Sequence, residues 1–259
     1  MMKFEDIIFE KTAGVAKITI NRPAAYNAFR THTLSEMCAA LEDAELDTDI
    51  RVIVLRGAGD KAFCTGGDTQ ESQHGGYDEQ MGYWHGRIHQ MIRRVTKPVI
   101  AAVNGWAIGG GHILHIICDV TIAAESARFG QAGPKVGSFD AGYGAAYLAR
   151  IVGEKKAREI WFFCRQYTAQ EALDMGLVNK VVPLADLDRE VETWCDEAKE
   201  MSPYALRFLK QAFNADTDHI AGFENMSSSA VRLYWETDEA KRQKETFKKR
   251  QKEKKASRA

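Results

Sequence analysis

Hydrophobic positions along this chain alternate between two periods. Val15 to Ile20 alternates as a strand does, and Asn21-Arg22-Pro23 ends it. From Thr33 to Leu46 the period lengthens to that of a helix, with Leu34, Met37, Cys38 and Leu41 on one face. Thr33 and Glu36 read there as a capping box. Val52 to Leu55 is a short apolar strand, turned by Gly57-Ala58-Gly59. The same rhythm returns at Lys97 to Val103, followed by a glycine cluster and the helical stretch Gly111 to Cys118. Strands alternating with helices predict an α/β core. Beyond Gly144 the pattern is helical. Thr168 and Glu171 form a second capping box with Gly176 past the helix end, and Ser202-Pro203 opens a further helix.

Composition narrows the class. The 259 residues can bury a large core, and a formal net charge of −1 with 27% charged residues predicts no nucleic-acid partner. The five cysteines are scattered without a C-x-x-C spacing, as in a cytoplasmic enzyme with reduced thiols. The N-terminus runs directly into strand-like alternation, so no signal peptide is expected, and no apolar run reaches the ~20 residues of a membrane span. From Lys241 the chain is dense in lysine and arginine. Such a run reads as a solvated helix end, or as cations that meet the phosphates of a nucleotide ligand.

Two glycine-rich segments carry the candidate chemistry: Ala62-Phe63-Cys64-Thr65-Gly66-Gly67-Asp68, and Asn104-Gly105-Trp106-Ala107-Ile108-Gly109-Gly110-Gly111-His112. Glycines let a backbone approach a ligand closely and leave its N–H groups open. Two such amides converging on one oxygen make an oxyanion hole, where each donor contributes ~3 kcal/mol to the transition state. Neither segment is a G-x-G-x-x-G or Walker pattern. Ser138 and Asp140 taken alone suit a helix cap near Gly142. His112 and His115 lie on an apolar helix without a third ligand at metal spacing, so they read as core histidines and no metal is expected.

Together the two glycine segments resemble the oxyanion-hole motifs of the crotonase (enoyl-CoA hydratase/isomerase) superfamily, and the resemblance covers nearly the whole chain. It implies a spiral of strand–strand–helix units over residues 1–200 and a helical C-terminal region over 201–259 that covers active sites and joins subunits. It also implies acyl-CoA thioester substrates, no tightly bound cofactor, and homo-trimers or hexamers. The oxyanion donors would be the amides of Gly67 and Gly110. Ala28, Thr65, Gly66, Asp68 and Thr69 would line the acyl-CoA channel, with Phe247 and Arg250 at its nucleotide end.

The resemblance also sharpens the reaction. Hydratases of the family handle water with two glutamates, and the matching positions here are Ile113 and Gly133, which move no proton. The segment Gly130 to Gly144, with Ala149-Arg-Ile-Val-Gly153 and Ala157 to Trp161, is similar to two subfamilies. One is 2-ketocyclohexanecarboxyl-CoA hydrolase and the other 1,4-dihydroxy-2-naphthoyl-CoA synthase. On that similarity Ser138, Asp140, Tyr77 and Tyr234 are catalytic, and Gln131, Gly133 and Trp161 would hold a bicarbonate. The synthases carry Lys and Arg after Gly-Gly-Asp to grip a second carboxylate, whereas this chain has Gln70 and Ser72. Their C-terminal tyrosine aligns with Trp235, one residue or ~100° of helix from Tyr234. The expectation is therefore a ring-opening carbon–carbon hydrolase. The alternatives are the ring-closing synthase and, from a different class, a non-catalytic acyl-CoA-binding subunit.

Overall fold

The computed structural model describes residues 3–68 and 79–256. Ten strands form two sheets. β1 (Ile7–Thr12), β2 (Val15–Ile20), β3 (Val52–Gly57), β5 (Val99–Val103), β7 (Val120–Ala124) and β10 (Lys180–Val182) make the first, in that spatial order. β4 (Ala62–Cys64), β6 (Trp106–Ile108), β8 (Arg128–Gly130) and β9 (Gln166–Thr168) make the second. All neighbours run parallel except β1 with β2 and β8 with β9. β3, β5 and β7 of the first sheet each turn a corner into a short strand of the second, β4, β6 and β8. A helix then returns the chain: Glu79–Arg94 after β3–β4, and Gly110–Ile116 after β5–β6. This is the expected spiral of strand–strand–helix units.

The near-continuous apolar runs of β3 and β5 follow from burial on both faces. Ile53, Leu55, Val99, Ala101 and Val103 point into the main core with Leu34, Met37, Ile88 and Ile92. Their neighbours Val52, Val54, Ile100 and Ala102 point the other way, onto Leu187, Val191 and Cys195 of the helix Leu187–Glu200. Asn104 locks the corner after β5, its Nδ2 donating to the Gly59 carbonyl at 2.6 Å, and Asn27 Nδ2 donates to the Ala62 carbonyl at 2.7 Å. From Pro203 onward the described chain is helical: Pro203–Ala215, Ile220–Trp235 and Asp238–Ala256.

Local expectations fare unevenly. Thr168 and Glu171 do form a capping box, Gly176 adopts φ +73°, and Ser202 caps its helix through the Ala205 N–H at 3.3 Å. The proposed Thr33–Glu36 box does not exist. The first long helix is Thr31–Leu46, and Thr33 Oγ1 accepts the Arg30 N–H and donates to Asp6. Glu36 instead accepts the Glu5 and Asp6 N–H groups at 2.7 and 2.8 Å, pinning the chain before β1. A carboxylate that satisfies two amides of a distant segment outcompetes its own helix end. Gly57 likewise belongs to β3 rather than to the turn. A Cβ there would stand 2.4 Å from the Ala62 and Phe63 carbonyls, so the β3–β4 corner requires its absence. No described helix is long and apolar enough to cross a membrane.

Candidate active site

The two glycine loops meet face to face. Phe29 donates its N–H to the Gly66 carbonyl and accepts the Asp68 N–H, each at 2.8 Å, so Phe29 bridges Gly67 as one rung of a parallel ladder. Gly66 sits at φ +88°, and a Cβ there would stand 2.9 Å from Gly110 N. A Cβ on Gly110 would strike the Phe29 ring at 2.6 Å. No side chain fits between the loops. Among the described residues, neither the Gly67 nor the Gly110 N–H is engaged in a loop or cap hydrogen bond. Two neighbouring backbone donors left open in this way suit one developing oxyanion.

Beyond the Phe29 ring lies a buried acid–base cluster. His85 and His89 lie one turn apart on the helix Glu79–Arg94, and Glu224 projects from Ile220–Trp235. The two Nδ1 atoms lie 3.4 and 3.2 Å from Glu224 Oε1. A carboxylate oxygen of Asp140 lies within 4.8 Å of one of Glu224, and Asp140 accepts the Gly144 N–H at 2.8 Å, ahead of the π-helical turn Gly142–Tyr147. As a residue Asp140 is only half-buried, yet its carboxyl is densely surrounded. Burial first, and then the Glu224 carboxylate, push Asp140 up to about 7. Burial alone would raise Glu224 too, but His89 and His85 outweigh it and hold Glu224 well below the usual carboxylate range. Burial keeps His89 itself below its ordinary value. What His89 gives Glu224 is therefore an N–H donor from the Nδ1–H tautomer more than a full positive charge.

Phe29 and Ile113 tie the two halves together. The Phe29 ring that packs under Gly110 also lies 5.8 Å from the His85 ring. Ile113, one helical turn beyond Gly110, reaches to within 2.9 Å of where a Gly144 Cβ would stand, beside Asp140. Among the described residues, His85, His89, Asp140 and Glu224 form the one group of His, Cys, Asp and Glu donors compact enough for a metal ion, within 4.8 Å of one another. Their hydrogen bonds argue for protons instead. Both Nδ1 atoms are aimed at one Glu224 oxygen at hydrogen-bond distance, so the cluster is held together by N–H donors on a carboxylate.

The sequence pattern of the enoyl-CoA hydratase/isomerase family matches residues 10–256. The chain belongs to that family. It is thus an acyl-CoA-processing enzyme of the crotonase superfamily. A solved enoyl-CoA hydratase from Mycobacterium avium subsp. paratuberculosis K-10 is similar, with a TM-score of 0.86 and 25% identity over 94% of this chain and 99% of that one. An enoyl-CoA hydratase/isomerase from Xanthobacter autotrophicus Py2 superposes with a TM-score of 0.80 and 32% identity, covering 92% and 89%. A monofunctional enoyl-CoA isomerase from M. smegmatis gives 0.71 and 31%, covering 82% and 94%.

Within this crotonase site the other expected residues separate into groups. Ser138 is half-buried, its N–H donates to the Gly133 carbonyl at 2.8 Å, and its hydroxyl is unengaged among the described residues. Gly133 packs against the Ser138 carbonyl and the Trp161 ring, where a Cβ would stand 2.6 and 2.9 Å away. Trp161 Nε1 donates to the Gly144 carbonyl at 2.6 Å, and the Gln131 amide lies 3.2 Å from His112 Nδ1. Both polar groups assigned to a bicarbonate pocket thus already have protein partners. Tyr234 stacks 5.9 Å from Phe139, and Trp235 Nε1 donates to the Gly137 carbonyl at 2.7 Å, so both cover the segment before Asp140 within their own chain. Ala28 is buried and Thr65 half-buried, with Thr65 Oγ1 donating to the Tyr26 carbonyl at 3.3 Å. Asp68 pairs with Arg22 at 2.8 Å. Phe247 is half-buried and Arg250 exposed on the last helix, Asp238–Ala256. Thr69 and Tyr77, with Gln70 and Ser72, lie outside the described residues.

Sequence reasoning missed His85, His89 and Glu224. A signal was present. His85 and His89 stand at i and i+4 on a helix, and Glu224 is the single acid in the run Ile220 to Val231. His112 and His115 are buried core residues, as read. His112 Nδ1 meets Gln131 and His115 Nδ1 meets Thr121 Oγ1 at 3.2 Å, while neither Nε2 has a partner among the described residues. Burial pushes His112 down to about 3 and His115 well below its usual range, so both are neutral.

Proposed function

We propose that this enzyme hydrolyses a carbon–carbon bond of a cyclic 3-oxoacyl-CoA, opening the ring to a dicarboxylic mono-CoA thioester. The observation that carries the reading is Asp140. It is an acid–base group poised near neutrality, linked to the glycine loops through Ile113, one helical turn beyond Gly110, while Ile113 and Gly133 fill the positions of the two hydratase glutamates. Ile113 is buried and Gly133 is packed against Trp161, and neither residue carries a group that can move a proton. The Gln70 and Ser72 substitutions suit a substrate whose ring side has no carboxylate until the reaction makes one.

The reaction balances on one proton. The thioester oxygen lies between the Gly67 and Gly110 N–H groups. Ionised Asp140 takes a proton from water as that water adds to the ring ketone, with the Ser138 hydroxyl orienting water or ketone. The bond from the former ketone carbon to the carbon alpha to the thioester breaks. Its electron pair becomes the thioester enolate, held by the two amides. Asp140 then returns its proton to the alpha carbon, and the former ketone leaves as a carboxylic acid. This account needs no bicarbonate. CoA enters and leaves as part of substrate and product.

The ring-closing synthase is the second reading, favoured by Tyr234, which stacks on Phe139 between Ser138 and Asp140. Side-by-side incubation with 2-oxocyclohexane-1-carbonyl-CoA, o-succinylbenzoyl-CoA and crotonyl-CoA, with and without bicarbonate, separates the readings by product mass. Gain of water on the first is expected. Loss of water from the second means the synthase, gain of water on the third a hydratase, and tight binding without turnover a non-catalytic acyl-CoA binder.

A further inference from the structure

The layer behind Asp140 is an unusual investment for a folded interior. Glu224 is 1% exposed, His89 0% and His85 9% by side chain, so an acid and two imidazoles are withdrawn from water together. Glu224 Oε1 receives both imidazoles, and Oε2 lies 3.4 Å from the Tyr143 N–H. The backbone is shaped around the two acids. A Cβ on Gly142 would stand 2.4 Å from Glu224 Oε2, and one on Gly144 would stand 2.9 Å from Asp140 Oδ1. Two carboxyl groups held this close together out of water, with oxygens within 4.8 Å, do not both ionise readily and so share one proton. Both imidazoles favour charge on Glu224, which leaves that proton to Asp140.

We propose that Glu224, clamped by His85 and His89, is the positioning residue that holds Asp140 ready to take and return one proton. The proposal rests on the ring-opening reading for its purpose, but the state of Asp140 can be measured without any substrate. An ordinary carboxylate near neutral pH is a weak base and is almost wholly ionised, so it has little acid form from which to return a proton. A neighbouring buried carboxylate, itself kept ionised, lifts Asp140 into the range where it does both. The histidines and Glu224 touch no reacting atom in this scheme.

The other groups around Asp140 leave this assignment intact. The helix Gly110–Ile116 presents Ile113 to the turn, while its His112 and His115 face Gln131 and Thr121. The helix Glu154–Phe163 presents the Trp161 indole, already bonded to Gly144. Arg93 stacks on Tyr143 and Tyr147 at 5.5 and 4.6 Å and bonds Thr217. Tyr143 lies over His89, its phenol raised by burial and so neutral. Among the described residues, the titratable groups that act on Asp140 directly are therefore Glu224 and His85.

The test is the titration of Asp140 in Glu224→Gln, which keeps the shape and removes the charge. Carbon-13 NMR of the full-length protein with labelled aspartate carboxyls, assigned by the resonance missing in Asp140→Asn, reads it directly. Wild type should titrate near 7, and Glu224→Gln should move the midpoint down by about one pH unit or more. His89→Gln, which removes one of two donors to Glu224, should move it the same way by less, and serves if Glu224→Gln folds poorly. The acid limb of kcat/KM for the cyclic substrate should follow both shifts, with KM changing little. A wild-type midpoint in the ordinary carboxylate range, or one unmoved by both substitutions, overturns the proposal and leaves a purely structural tie between two helices. If the shifts occur but no cyclic substrate turns over, the ring-opening reading fails and the proton-holding arrangement stands.

Discussion

Asp140 is where residue chemistry is most exposed to test. Asp140→Asn keeps the acceptor for the Gly144 N–H and removes the proton carrier. We expect kcat to fall by about 100- to 10,000-fold with acyl-CoA affinity nearly unchanged, read from steady-state kinetics and binding of an unreactive thioester. Because the base form does the first step, kcat/KM should rise with pH through about 7 as Asp140 ionises. A profile flat from pH 5 to 9 contradicts that assignment. Gly110→Ala places a methyl 2.6 Å from the Phe29 ring and displaces one oxyanion donor, so kcat should fall by about 100- to 1,000-fold.

At the scale of elements, the turn Gly142–Tyr147 and the helix Ile220–Trp235 fit without room for a methyl. A Cβ on Gly142 would stand 2.7 and 2.8 Å from the backbone Cα and N of Glu224. Gly142→Ala should therefore cost about 1–3 kcal/mol, or roughly 2–10 °C in Tm by calorimetry. Gly82, mid-helix in Glu79–Arg94, has nothing within 4 Å of its Cβ position. Gly82→Ala should gain about 0.5–1 kcal/mol from helix propensity, raising Tm by about 1–4 °C. The sequence made one of these elements legible and hid the other. Long apolar strands such as β3 and β5 announce themselves by composition, and the glycine loops by their residues. The three-residue strands of the second sheet are shorter than any period can show. The Glu36 contact to the chain before β1 and the His85–His89–Glu224 cluster join segments far apart in sequence. No local pattern specifies such partners, and only the i, i+4 histidines hinted at one.

For the whole molecule, the C-terminal helices leave apolar surface in water. Tyr204, Phe208 and Phe213 on Pro203–Ala215, and Met226 and Leu233 on Ile220–Trp235, are all more than half exposed. Surfaces of this kind are covered in stable proteins. We expect homo-oligomers, trimers or paired trimers, in sedimentation experiments, and Phe208→Glu with Phe213→Glu should shift the population toward monomer. A wild-type chain that sediments as a monomer at micromolar concentration contradicts this. The same helices carry Glu224, Tyr234 and Trp235 against the catalytic segment, so dissociation should also lower activity.

The central claim concerns which bond water breaks. The most direct measurement is mass spectrometry of the product of 2-oxocyclohexane-1-carbonyl-CoA turned over in heavy-oxygen water. The account predicts an open-chain product that retains CoA and carries one heavy oxygen in its new carboxyl group. Release of free CoA with the label in the thioester-derived carboxyl, or unchanged ring with no label incorporated beyond ketone exchange, contradicts it.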